Sequence, residues 1–162
     1  MELICIHENG LHLVFEKTAN GQIKLLHFSA LPFVEANILH VKGNPFDSQD
    51  SGGNSPLIPK TDRYNLVEIM ISGQDRPGER HGNKYISTSP GDRLLLKDFI
   101  DYKNENGRKL EIVMTDQVCG VDVTSHLQFY DGVQTVRSYT TVYNWGTEPQ
   151  GLEYVSSFAL TG

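Results

Sequence analysis

The chain has 162 residues, with 14 basic and 20 acidic side chains, a formal net charge of −6 and 38% hydrophobic residues. That length fits one domain with a sizeable core, and the modest apolar fraction suits a sandwich whose outer faces stay wet. The acidic balance argues against a nucleic-acid partner, which needs a basic patch, and no stretch approaches the roughly 18 apolar residues of a membrane span.

Two cysteines, Cys5 and Cys119, lie far apart and lack metal-ligand or CxxC spacing, so they read as free thiols packed as small apolar residues. Met1 to His7 carries Glu2 and no basic region leading into an apolar one, so no secretory signal is read and a cytoplasmic location is the expectation.

In chain order, Glu2–Glu8, Leu11–Lys17 and Gln22–Ser29 read as three strands separated by Asn9-Gly10 and Asn20-Gly21 turns. They predict a three-stranded meander. Ile38–Val41 is a short strand candidate. Gly43–Asp62, with Pro45, Pro56, Pro59 and the run Ser51-Gly52-Gly53-Asn54, is a long aperiodic loop of the kind that carries function or stays disordered. Tyr64–Ser72 is an apolar strand, and Gly73–Lys84 is a second exposed loop.

From Asp92 onward the pattern is more regular. Arg93–Tyr102 reads as a strand, and Asn106-Gly107 as a turn. In Lys109–Thr115, Leu110, Ile112 and Met114 share one face. In Val121–Phe129, Val121, Val123, Leu127 and Phe129 lie opposite Asp122, Thr124, His126 and Gln128. Val133–Tyr143 and Gly151–Leu160 complete the series. No helical periodicity follows a capping residue, so the expected fold is an all-β antiparallel sandwich.

The run from Gly107 to Leu160 carries a resemblance. Its pieces are Gly107-Arg108-Lys109-Leu110-Glu111-Ile112-Val113, Gly120-Val121-Asp122-Val123-Thr124-Ser125-His126 and Tyr130-Asp131-Gly132-Val133. They continue with Val136-Arg137-Ser138, the turn Asn144-Trp145-Gly146-Thr147-Glu148-Pro149, and Leu152-Glu153 leading into Val155-Ser156-Ser157-Phe158-Ala159-Leu160. The loop from Arg76 to Lys84 belongs to the same set. This ordered set is similar to the N-terminal sandwich domain of glycoside hydrolase family 36 α-galactosidases, over about half of the chain.

The resemblance implies a supersandwich-like fold, with residues 1–162 forming a truncated, non-catalytic N-terminal domain. It implies a catalytic (β/α)₈ barrel elsewhere in the same polypeptide, bearing two aspartates that act with retention of configuration. Such a pair sits roughly 5–5.5 Å apart across the sugar. The barrel's motifs do not occur in this sequence, so no catalytic residue is carried over and the chain alone is expected to be inactive. The full-length enzyme would remove terminal α-linked galactose from oligosaccharides such as melibiose or raffinose. A relative acting on α-linked N-acetylgalactosamine is the nearest variant. The sandwich would buttress the barrel and build homo-oligomer contacts, without a cofactor.

Several other residues have plainer roles. Asp98 with Asp101, and Glu111 with Asp116, have odd separations that put each pair on opposite faces of a strand. Asp50-Ser51-Gly52-Gly53 resembles part of a serine-protease nucleophile segment, but Gln49 stands where that segment has glycine. His7, His12, His27, His40, His81 and His126 lack the short spacings of zinc sites, so no metal is expected. Arg80, His81, Asn83 and Lys84, beside Tyr85 in a glycine-flanked loop, are the candidates for contact with substrate or with an interface. Trp145 falls in a turn, either packing over the sandwich end or stacking on a sugar. The alternative function is a free-standing carbohydrate-binding module, for which Tyr85, Tyr102, Tyr130 and Trp145 supply aromatics. A structural interaction domain of unrelated ancestry is the third reading.

Overall fold

The structure is a computed structural model and describes residues 2–35, 65–74 and 88–158. Asn9 and Gly10 take φ of +50° and +79°, the two positive angles that a type I′ hairpin demands. They join β1 (Glu2–Glu8) to β2 (Leu11–Lys17), and β3 (Ile23–Ser29) completes an antiparallel sheet in the order β1-β2-β3. The meander read from the sequence is present, with a bulge at Val14/Phe15.

The apolar run before residue 72 gives less strand than its composition promised. Asn65 makes one isolated bridge to Lys24, and β4 is confined to Ile69–Ile71. Among the described residues, a one-turn helix, α1 (Ser89–Asp92), follows. Its sequence signals are local: the Thr88 hydroxyl accepts from the Gly91 N–H at 3.1 Å, and Pro90 sits in the first turn. Four residues are too few for any periodicity to have announced it.

The second sheet runs in strict sequence order through β5 (Leu95–Asn104), β6 (Gly107–Asp116), β7 (Val121–Tyr130) and β8 (Val133–Asn144). β9 (Leu152–Val155) pairs antiparallel with β4. It is shorter than its run in the sequence, ending before Ser156. There the Ser156 N–H donates to the Glu68 carbonyl at 2.9 Å, and the Ser156 carbonyl accepts from the Thr140 hydroxyl at 2.8 Å. The fold is thus all-β and antiparallel, as a sandwich-like arrangement of open sheets.

The inner faces meet in one core. Leu13 and Phe15 of β2 pack with Leu110, Ile112 and Met114 of β6 and with Val121, Val123, Leu127 and Phe129 of β7. Phe15 meets Phe99 edge to face at 5.9 Å. Hairpin tips gather at one end, where the Asn9 amide donates to the Tyr130 carbonyl at 2.7 Å and Asn9 Oδ1 accepts from the Gly132 N–H at 3.3 Å. Alternation along β6 and β7 leaves one wet face on the four-stranded sheet. The first sheet differs from that simple expectation: Val14, Glu16 and Lys24 are buried along with their inward neighbours. The Ile38–Val41 strand and the Gly43–Asp62 loop lie outside the described residues.

Candidate functional site

The wet face of the β5–β8 sheet collects most of the exposed aromatic and charged groups with defined partners. Register places Tyr102, Lys109, Gln128 and Arg137 in one row, and Ile100, Glu111, His126 and Tyr139 in the next. Lys109 Nζ lies 2.7 Å from Glu111 Oε1, which also accepts from the Tyr102 hydroxyl at 3.1 Å. The Glu111 hydrogen bond holds the Lys109 ammonium well above the ordinary lysine range, and Lys109 in turn lowers the Glu111 carboxyl. His126 stacks on Tyr139 at 4.4 Å, and its Nε2 meets the Thr141 hydroxyl at 3.0 Å. Burial pushes His126 below its usual range; Lys109 adds to this, while Glu111 opposes it. Arg137 also lies over the Tyr139 ring, at 5.7 Å, so that ring is occupied by its own neighbours.

At the end of the same face the groups are arranged differently. Leu95, Thr115, Asp122 and Tyr143 form one row across all four strands. Asp122 Oδ2 accepts from Lys97 Nζ at 2.6 Å, and Oδ1 accepts from the Trp145 indole N–H at 3.1 Å. Burial would raise the Asp122 carboxyl, but hydrogen bonds from Lys97 and Thr115, the Lys97 charge and the Trp145 N–H together hold it below the usual carboxylate range. Trp145 is seated by backbone bonds: its N–H and that of Gly146 donate to the Gly120 carbonyl at 2.9 and 3.0 Å. Gly120 has φ +69°, and a Cβ there would lie 3.0 Å from Gly146 Cα, so glycine is required for this close approach. The indole stays 46% exposed and Tyr143 67% exposed, and with Leu95, Leu96, Lys97, Thr115, Gln117 and Asp122 they border an open depression of about 590 Å³.

Two further polar centres are structural in geometry. Arg93 grips the buried Asp116 with Nε at 3.0 Å and Nη2 at 2.7 Å, while Nη2 also reaches Gln74 Oε1 at 3.0 Å. Burial raises the Asp116 carboxyl, but the Arg93 bonds, the Val118 N–H and the Arg93 charge outweigh it and leave the group low. Burial pushes the neighbouring Cys119 thiol up. Near α1, Lys24 donates to Asn65 Oδ1, and Asn65 Nδ2 lies 3.1 Å from Glu68 Oε1 and 3.0 Å from Asp92 Oδ1. Burial lowers Lys24, with Asp92 and Glu68 opposing.

The carboxylate pairs weighed in the sequence do not converge. Asp98 lies opposite Val113 on the wet side, whereas Asp101 lies opposite the buried Leu110 and is held by Arg108 at 2.6 Å. Glu111 is on the wet face and Asp116 is in the interior. Asp101, Glu111, Asp116 and Asp122 are all held low by cations or other donors, the opposite of the raised carboxyl that a glycosidase acid needs. Among the described residues no three His, Cys, Asp or Glu side chains come together to hold a metal ion.

The candidate contact residues Arg80, His81, Asn83 and Lys84, with Tyr85, lie outside the described residues. Tyr102 and Trp145 both stand on the wet face, but at different ends, and Tyr130 lies at the far end of β7, past the register shift at Phe129/Tyr130. Tyr139 and Tyr143 reach the wet face through the β7–β8 register, opposite His126 and Asp122, a placement that the alternation of β7 marks once that register is set. Among the described residues no helix is long and apolar enough to cross a membrane. In comparisons with known proteins, no family model, no curated protein and no solved structure matches the chain.

Proposed function

We propose that this chain is the non-catalytic N-terminal sandwich of an α-galactosidase-like retaining glycoside hydrolase, bracing a catalytic barrel in the same polypeptide and contributing to homo-oligomer contacts. The observation that carries the reading is where the resembling residues fall. Gly107–Asp116, Val121–Tyr130 and Val133–Asn144 are consecutive strands, Asn144–Pro149 is the connecting turn, and Leu152–Val155 is the next strand. The non-catalytic part is supported by the low-titrating, cation-held carboxylates, which are unsuited to donate a proton to a leaving group near neutral pH. The substrate of the whole enzyme would be a terminal α-linked galactoside, and the cellular location cytoplasmic.

The test is hydrolysis of an aryl α-galactoside by the purified chain and by a polypeptide extended through a downstream barrel. The expected outcome is no turnover by the first and turnover with retained configuration by the second. Clear hydrolysis by the chain alone would sink the proposal.

A second reading, a carbohydrate-binding module, is favoured by one feature: exposed aromatic rings beside hydrogen-bonding side chains at the end of the wet face. Calorimetric titration with galactosides tests this reading independently of the hydrolysis assay, and an absence of saturable binding by the chain would count against it.

A further inference from the structure

We infer that the depression bordered by Trp145, Tyr143, Asp122, Lys97, Gln117 and Leu95 is a binding site for a neutral pyranoside, held by stacking on the aromatic rings and by hydrogen bonds to Asp122 and its neighbours. This rests on the sugar-binding reading above and gives it a place and a chemistry.

Charge is the first argument. Lys97 and Asp122 are already paired at 2.6 Å, so the floor of the site carries no unbalanced charge to attract an ion. The ligand that fits is uncharged. Hydrogen-bonding capacity is the second. A carboxylate offers about four acceptor positions, and Trp145 Nε1, Lys97 Nζ and the Thr115 hydroxyl take three of those on Asp122, leaving one for a ligand. The Lys97 ammonium has further donors, and the Gln117 amide borders the same space. A ring bearing several hydroxyls can use this mixture of donors and acceptors, whereas a hydrocarbon cannot.

Aromatic placement is the third argument. The indole is not a mobile surface ring: its N–H is tied to Asp122, and its backbone is tied to Gly120. A pre-positioned ring loses little freedom on binding. The faces of Trp and Tyr carry negative charge density and attract polarised C–H groups. A galactopyranose presents a C–H face opposite its axial hydroxyl, with hydroxyls around the rim, which is the pattern this wall and floor complement. The contrast within the same sheet is informative. Tyr139 is covered by His126 and Arg137, while Tyr143 and Trp145 keep 67% and 46% of their surface exposed. The depression is open, with a volume of about 590 Å³, so a ligand there would keep one face in water.

Trp145 is the sole tryptophan of the chain, so its emission reports on this site alone. The experiment titrates the 162-residue chain with methyl α-galactopyranoside, methyl α-glucopyranoside and the open-chain polyol sorbitol, following tryptophan fluorescence and heat together. A saturable emission change with a pyranoside in the millimolar range, absent with sorbitol, is expected. Tyr143→Ala leaves the reporter and alters only an exposed ring, and it is expected to weaken binding about fivefold. Trp145→Phe keeps a ring and is expected to bind more weakly by calorimetry. Saturable heat with neither an emission change nor an effect of Tyr143→Ala would overturn the site while leaving sugar binding elsewhere on the chain intact. Neither heat nor emission change would overturn the site and the binding-module reading together, and leave the accessory-domain proposal to its own hydrolysis test.

Discussion

Removing Arg93 should reverse the sign with which Asp116 responds to acid. Asp116 is 0% exposed at its side chain and Arg93 is 30% exposed. The carboxylate accepts two bonds from the guanidinium, at 3.0 and 2.7 Å, and one from the Val118 N–H at 3.0 Å. In Arg93→Met the carboxylate stays buried with only the Val118 N–H among these donors. Breaking a fully buried pair from one side costs about 3–5 kcal/mol; because Arg93 is partly solvated, about 2–3 kcal/mol is the better figure at pH 7. For a chain of this size that is a fall of roughly 5–10 °C in Tm.

The pH dependence is the sharper readout. In the wild type the folded carboxyl titrates below its unfolded value, near 3.9, so its contribution is full above that value and is lost as pH falls through the folded one. In Arg93→Met, burial acts with little opposition and the folded carboxyl titrates above 3.9. Its penalty is then present at neutral pH and relieved on acidification. The stability gap between the two proteins, measured by urea denaturation at matched pH, should therefore shrink by more than half between pH 7 and pH 3.5. Other acidic groups cancel in the difference. A gap that stays constant over this range, or one below about 0.5 kcal/mol at pH 7, would refute the reasoning.

Other outcomes are expected of the same protein. Gly91→Ala should destabilise by about 1–3 kcal/mol in denaturant melts, because its Cβ would sit 2.8 Å from Glu68 Oε2 and 2.9 Å from Thr88 Oγ1. Phe129→Ala, in the core, should cost about 3–5 kcal/mol, whereas the exposed Tyr143→Ala should stay within about 0.5 kcal/mol. Burial keeps His126 below its ordinary range, so its contribution is present above about pH 6.5 and lost as pH falls through the folded value. His126→Gln should accordingly flatten the stability profile between pH 7 and pH 5. Leu95, Ile100 and Tyr102 are exposed on β5, an edge strand of its sheet, so light scattering at high protein concentration should find self-association. A monomer there would count against the oligomer contacts.

Much of the β architecture was legible because period-two alternation is a direct imprint of one buried face. Leu110, Ile112 and Met114 against Lys109 and Glu111 place β6 without help from tertiary contacts. Asn9-Gly10 fixed a hairpin through its required angles. What escaped the sequence depends on partners distant along the chain. Lys24, Glu16 and Glu68 are charged, yet all three are buried, and Lys24 and Glu68 meet through Asn65, a partner 41 positions from Lys24. The Trp145–Asp122 bond spans 23 positions and exists only once the β7–β8 register and the Gly120 turn are set. Tyr143 reaches the same row through that register, which no local motif records.

The central claim is that this sandwich serves a catalytic barrel in the same polypeptide. Reading the coding frame downstream of Gly162 tests it most directly. The account predicts an open frame of several hundred codons encoding a (β/α)₈ barrel with two aspartates at the ends of its strands. A stop codon shortly after Gly162 would contradict it.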